Sequence, residues 1–183
     1  ANLKNEYASY LTGGYYIGGV GTPQDIEQAK SYLEFAAEES LVNANVALAE
    51  IAMFEKDYTT ARKWLDNFVV STANGKLQKT VGEVNSSQAL FTLAALSLDG
   101  LGGPVDIDTA HKYFSEFAVN GVPDAQHALA RILTDSKNEK YYAPSQGLSW
   151  AITAKINGSE KVDEFITQTK RERSHEERKQ SVA

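Results

Sequence analysis

The sequence contains no cysteine, which excludes a disulfide framework, a thiolate metal site and a cysteine nucleophile together. Histidine is nearly as scarce. His111, His127 and His175 lie far apart, and none belongs to an HExxH or another close ligand pair, so neither a metal site nor a cofactor is expected. No apolar run approaches the roughly 18 residues that suggest a membrane span, and no basic-then-apolar start marks a signal peptide. The chain opens at Ala1 rather than at a methionine, as a mature form or a trimmed piece would. A soluble protein is expected, with cytoplasmic, periplasmic and secreted locations all open. Positive charge is also in deficit: a formal net charge of −6 opposes general affinity for phosphate backbones, which depends on clustered Lys and Arg. Nucleic acid is therefore not an expected partner. What is present, 42% hydrophobic and 23% charged residues, is the balance of a chain that folds around a core.

Self-similarity organises that material. In the clearest unit Ala89, Leu93, Ala94 and Gly100 are followed by Gly102, Asp106, Ala110, Tyr113, Phe117, Ala118 and Gly121. The same frame appears near the N-terminus as Ala8, Gly13, Tyr16, Gly19, Gly21 and Asp25, then Ala29, Tyr32, Ala36, Ala37 and Ser40, with Ser40 in the slot of Gly121. Two further copies carry insertions or deletions: Ala44, Leu48, Ala49, Asp57, Ala61, Trp64 and Phe68; and Ala125, Leu129, Ala130, Ala143, Gly147, Trp150, Ala154 and Gly158. The leading alanines recur at intervals of 36, 45 and 36 residues. The longer interval holds a polar insertion, Ser71 to Ser87, with turn signals at Asn74-Gly75 and Gly82. A period in this range signals stacked supersecondary units.

The pattern resembles the Sel1-like repeat family, whose units carry an alanine, a leucine-glycine pair, an aromatic, a GxG loop, an aspartate, then alanine, an aromatic and an Ala-Ala pair. The likeness runs from about Ala8 to Gly158 and is strongest over Leu93 to Gly121, with Gly100-Leu101-Gly102 as the loop. The second unit lacks that loop and is similar to a tetratricopeptide unit, and the fourth lacks both loop and aspartate. The paired cysteines of some members have no counterpart. The resemblance implies an all-α fold: a right-handed superhelical α-solenoid of about four helix-turn-helix repeats, at 4–40, 41–70, 86–121 and 122–158, in a single domain. An inserted loop at 71–87 and a C-terminal capping helix and tail at 159–183 complete it.

The residues support that reading independently. Ala44, Leu48 and Ala52 form one apolar helical stripe, and small residues such as Ala125, Ala128 and Ala130 let a second helix approach closely. Tyr32, Trp64, Tyr113 and Trp150 then fill the space between helices, each ring being worth about 3–5 kcal/mol against alanine. Asp25 and Asp106 stand where a helix N-cap belongs. Gly19, Gly21, Gly100, Gly102 and Gly103 read as turn residues rather than a phosphate loop, since no Lys-Ser or Lys-Thr and no strand accompanies them. The aromatic pairs Tyr15-Tyr16 and Tyr141-Tyr142 read as packing rather than a stacking platform. Val162, Phe165 and Ile166 are expected to close the last unit, with the densely charged Lys170 to Gln180 as a solvated helix.

Repeat arrays present the first helix of each hairpin to extended ligands. In this register that face carries Asn43, Val46, Glu50 and Met53 in the second unit, Gln88, Phe91, Ala95 and Leu98 in the third, and Asp124, His127, Arg131 and Thr134 in the fourth. Such a mixed surface suits a protein or peptide partner, although Phe91 and Leu98 are equally suited to packing between units. The inserted loop is a second candidate contact. Nothing resembling a nucleophile with a base converges in the register. Asp124 with His127, at i to i+3, reads as a surface contact rather than a catalytic pair. The family resemblance implies a non-catalytic adaptor, with a structural subunit of an envelope or secretion assembly as the alternative.

Overall fold

A computed structural model of the chain describes residues 5–73 and 86–180. The turn signals Asn74-Gly75 and Gly82 lie outside them. Nine helices account for nearly all of the described residues: α1 (Glu6–Gly18), α2 (Ile26–Glu38), α3 (Val42–Phe54), α4 (Tyr58–Ala73), α5 (Ser86–Asp99), α6 (Ile107–Val119), α7 (Pro123–Thr134), α8 (Pro144–Ile156) and α9 (Val162–Gln180). Both ends of the expected insertion are helical, because α4 runs through Ala73 and α5 starts at Ser86. The helices form two compact units, residues 1–105 with α1 to α5 and residues 106–183 with α6 to α9. The boundary separates the two helices of the third sequence repeat. Within each unit every helix packs on its neighbour in sequence, the contact pattern of stacked hairpins.

The starts and stops of these helices are written in short signals. Asp25 accepts from the Gln28 backbone N–H at 3.0 Å, and Asp106 accepts from that of Thr109 at 3.0 Å while the Thr109 hydroxyl donates back at 2.7 Å. Both aspartates are thus N-caps, as the sequence indicates, and Asn5 and Asp57 serve α1 and α4 alike. The ends share one device. Gly19, Ser40, Lys56, Gly100, Gly121 and Gly158, at the close of α1, α2, α3, α5, α6 and α8, all have positive φ, between 62° and 99°. Each is followed by a residue whose N–H reaches back five positions, as in Leu41 to Ala36, Asp57 to Ala52 and Val122 to Phe117, at 2.9–3.1 Å, the bond that satisfies an orphan helix carbonyl. Ser40 therefore occupies the slot of Gly121 in conformation as well as in sequence.

In the first unit Leu33, Ala36, Leu41, Ala44, Leu48 and Ile51 form a buried cluster, with Tyr10, Ile17, Ile26 and Trp64 packed against it. The third repeat's loop folds onto α4: a Cβ at Gly102 would collide with the Tyr58 carbonyl, and Arg62 Nη1 donates to the Pro104 carbonyl at 2.8 Å. Only glycine permits that approach. In α1 the buried positions are Ser9 and Gly13, while Ala8, the counterpart of buried Ala44, is exposed. Ala44 is covered by α2, and no described helix precedes α1 to cover Ala8.

In the second unit Ala130, Ala151, Ala154, Val162 and Ile166 are buried together, flanked by Leu148, Trp150 and Phe165. The expected closure by Val162, Phe165 and Ile166 is thus present, on the capping helix α9. Buried Gln126 ties three helix ends together, its amide N–H donating to the Ala118 carbonyl and its oxygen accepting from Asn157, both at 3.0 Å.

Candidate functional site

Helix α3 has almost no polar face. Of its thirteen residues, VNANVALAEIAMF, nine are buried, and the rest line two hollows in the first unit. One, of about 270 Å³, is bounded by Val46, Ala49, Glu50 and Met53 of α3, Leu65 of α4, and Gln88, Ala89 and Thr92 of α5. The other, of about 340 Å³, is bounded by Ile17 of α1, Gln24, Ile26 of α2, Ala47, Glu50, Ile51 and Phe54 of α3, and Glu55. Glu50 belongs to both. At 100° per residue, Ala49, Met53 and Val46 fall on one side of its direction and Phe54, Ala47 and Ile51 on the other.

Four of the residues nominated from sequence, Val46, Glu50, Met53 and Gln88, therefore meet in the first hollow. Val46 is buried in its floor, Glu50 and Gln88 are exposed, and Met53 is half-buried. Asn43 is buried at 5% exposure and has polar company. Phe91 is half-buried, as are Ala95 and Leu98. The second hollow escaped the sequence reading. Its signal is Phe54, a large ring at the last turn of α3 and 90% exposed, beside a helix with too few polar residues to have a solvent face.

Charge around this face is mostly tied up. Lys30 Nζ binds Glu55 at 2.7 Å and Glu27 at 3.0 Å, and the hydrogen bonds to these carboxylates hold its ammonium above the ordinary range. Asp57 is held below the usual carboxylate range by its hydrogen bonds to Thr60. The Glu50 carboxylate, by contrast, has no hydrogen bond or ion pair among the described residues.

Asp124, His127 and Arg131 lie on α7, in the second unit. Asp124 and Arg131 are exposed. The imidazole of His127 packs edge-on against Phe165 of the capping helix, ring centres 5.3 Å apart. Burial lowers its pKa from the usual value, aided by Arg131 and opposed by Asp124. Thr134 turns inward, its hydroxyl bonded to the Ala130 carbonyl at 2.9 Å.

The two tyrosine pairs divide their roles. Tyr16 stacks on Tyr32 with ring centres 5.8 Å apart, whereas Tyr15 is more than half exposed. Tyr141 stacks on His111 at 3.9 Å and donates from its hydroxyl to Asp108 at 2.9 Å, and Lys140 Nζ binds the same carboxylate at 2.7 Å. These contacts pin the α7–α8 loop to α6. Among the described residues no group of three or more His, Asp or Glu could hold a metal ion, and no helix is long and apolar enough to cross a membrane.

Comparison with known proteins places this architecture. The Sel1 repeat model matches residues 6–41 and 87–121. No curated protein matches the sequence. Among solved structures, c5321, a protective antigen present in uropathogenic Escherichia coli strains and displaying an SLR fold, superposes with a TM-score of 0.66 at 19% identity, over 90% of this chain and 33% of that one. A Sel1 repeat protein from Oxalobacter formigenes superposes with a TM-score of 0.59 at 22% identity, over 85% of this chain and 42% of the other. The chain thus spans about a third to two-fifths of the length of these neighbours. It carries two matched Sel1 repeats, in an all-α fold of hairpins packed in sequence order within each unit and shared with these structures.

Proposed function

We propose that the protein is a non-catalytic interaction scaffold that binds a protein or peptide on the α3 face of its first unit. The hairpins that the repeat model does not match, α3–α4 and α7–α8, are read as divergent copies, giving four repeat units in the chain. The observation that carries the binding reading is the pair of apolar hollows flanking Glu50. Side chains that could have closed the surface leave room for those of another molecule, the arrangement that binding hot spots require. Repeat proteins use their first helices in this way. Asp124, His127 and Arg131 would form a separate contact in the second unit, in which Arg131 is the best anchor because His127 is partly committed to Phe165.

The test is site-specific photo-crosslinking in the native organism's lysate, with benzoylphenylalanine at Met53 or at Lys63, an exposed residue of α4. A partner captured from position 53 and absent from position 63 is the expected result. Equal capture from both, or capture from position 63 alone, would move the site away from α3.

A second reading, a subunit of a larger assembly, is favoured by one feature. Tyr7, Leu11 and Tyr15, at helical spacing on α1, are 37%, 49% and 53% exposed, an apolar stripe of the kind that a neighbouring helix covers.

A further inference from the structure

We propose, building on the scaffold reading, that the α3 face selects a peptide carrying one Lys or Arg flanked by apolar side chains, with the cation on Glu50 and an apolar group in each hollow. Three observations converge. Glu50 lies between the hollows and contributes to the wall of both, so a residue seated over it directs its neighbours to either side. The rest of each wall is mainly aliphatic or aromatic, from Val46, Ala49, Met53 and Leu65 on one side to Ile17, Ile26, Ile51 and Phe54 on the other. Finally, the Glu50 carboxylate is unpaired among the described residues, while Glu55, which lines the second hollow with it, is paired with Lys30.

A carboxylate left without a cation inside an apolar surface is a repulsive element against acidic partners and an attractive one for basic partners. Filling the hollows removes water from around Glu50, which strengthens a charge-assisted hydrogen bond there beyond that of an open surface pair. The net charge of −6 over the whole chain adds long-range attraction for the same class of ligand. An acidic or phosphorylated segment would place like charge against Glu50, with no Lys or Arg among the described residues lining either wall.

The experiment measures fluorescence anisotropy of the full chain with two matched sets of labelled nonapeptides. One set has a central Lys with Leu two to four residues away on both sides and Ser elsewhere; the other has Glu in place of the Lys. The Lys set is expected to bind about tenfold tighter than the Glu set at low salt, with the gap shrinking as salt rises. Glu50→Gln should abolish the preference and Glu50→Lys should reverse it, both with an unchanged melting temperature because Glu50 is exposed. Binding with equal affinity for both sets, or a Lys preference that survives Glu50→Gln, would overturn the charge selection while leaving peptide docking intact. Absence of binding by either set, combined with no crosslink from Met53, would overturn both.

Discussion

Ser40 and Lys56 hold left-handed backbone, φ 70° and 62°, at the ends of α2 and α3, while the equivalent slots of α6 and α8 hold Gly121 and Gly158. A side chain in that region meets its own following carbonyl, at a cost of roughly 1–2 kcal/mol relative to glycine. The Ser40 and Lys56 side chains are exposed, so removing them forfeits little packing, although glycine gives some of the gain back as unfolded-chain entropy. Lys56→Gly is therefore expected to stabilise the first unit by about 0.5–1 kcal/mol, seen as a higher midpoint in urea with the same slope. A lower midpoint would show that the Lys56 stem contributes more than its strain removes.

Small residues and rings share the buried faces of the helices. Tyr113 of α6 is the most buried ring of its type, at 6% exposure, alongside fully buried Ala110 and Ala118. Tyr113→Ala should cost about 3–5 kcal/mol and lower the melting temperature of the second unit, as followed by hydrogen exchange of α6 and α7 amides. An unchanged exchange pattern would mean that α6 is held mainly by its capping and by Gln126. Trp64 and Trp150 are half-buried rather than fully enclosed, so their truncation should cost less than that of Tyr113.

At the scale of the whole molecule, described groups with displaced pKa values make stability fall as the pH falls. His111 lies low because of burial, with Asp108 opposing and Lys140 reinforcing the shift, and burial lowers His127 as well. A histidine whose folded pKa is below its unfolded value near 6.5 binds protons more readily in the unfolded chain. Stability is therefore full above that value and is lost as pH falls through it. Asp108 and Asp57 are also lowered, by hydrogen bonds from Lys140 and Tyr141 and from Thr60 respectively, so their contribution is present above about pH 4 and is lost below. The melting temperature should fall in two stages, first between about pH 7 and 5, then below about pH 4. His111→Phe, which keeps a ring against Tyr141, should flatten the first stage. A first stage of unaltered slope would assign it to His127.

Periodicity was enough to locate the hairpins, because Ala, Leu and aromatic residues at helical spacing have no other way to bury a face, and Asp25, Asp106, Gly100 and Gly121 are local signals that act within a few residues of themselves. The closure of the last hairpin by Val162 and Ile166 was legible for the same reason. The register of α1 was not: Ala8 and Ala44 are the same residue in the same slot, and only the helix stacked on it decides which is buried. Nor could a linear pattern distinguish Asn43, enclosed by its neighbours, from Met53, which borders open space one helical face away. The pairing of two hollows about Glu50 likewise depends on where α1, α4 and α5 stand around α3. Local spacing determines which residues form a helix and which face is apolar; the shape left between helices depends on side-chain volumes contributed from several of them, and that is settled only when they pack.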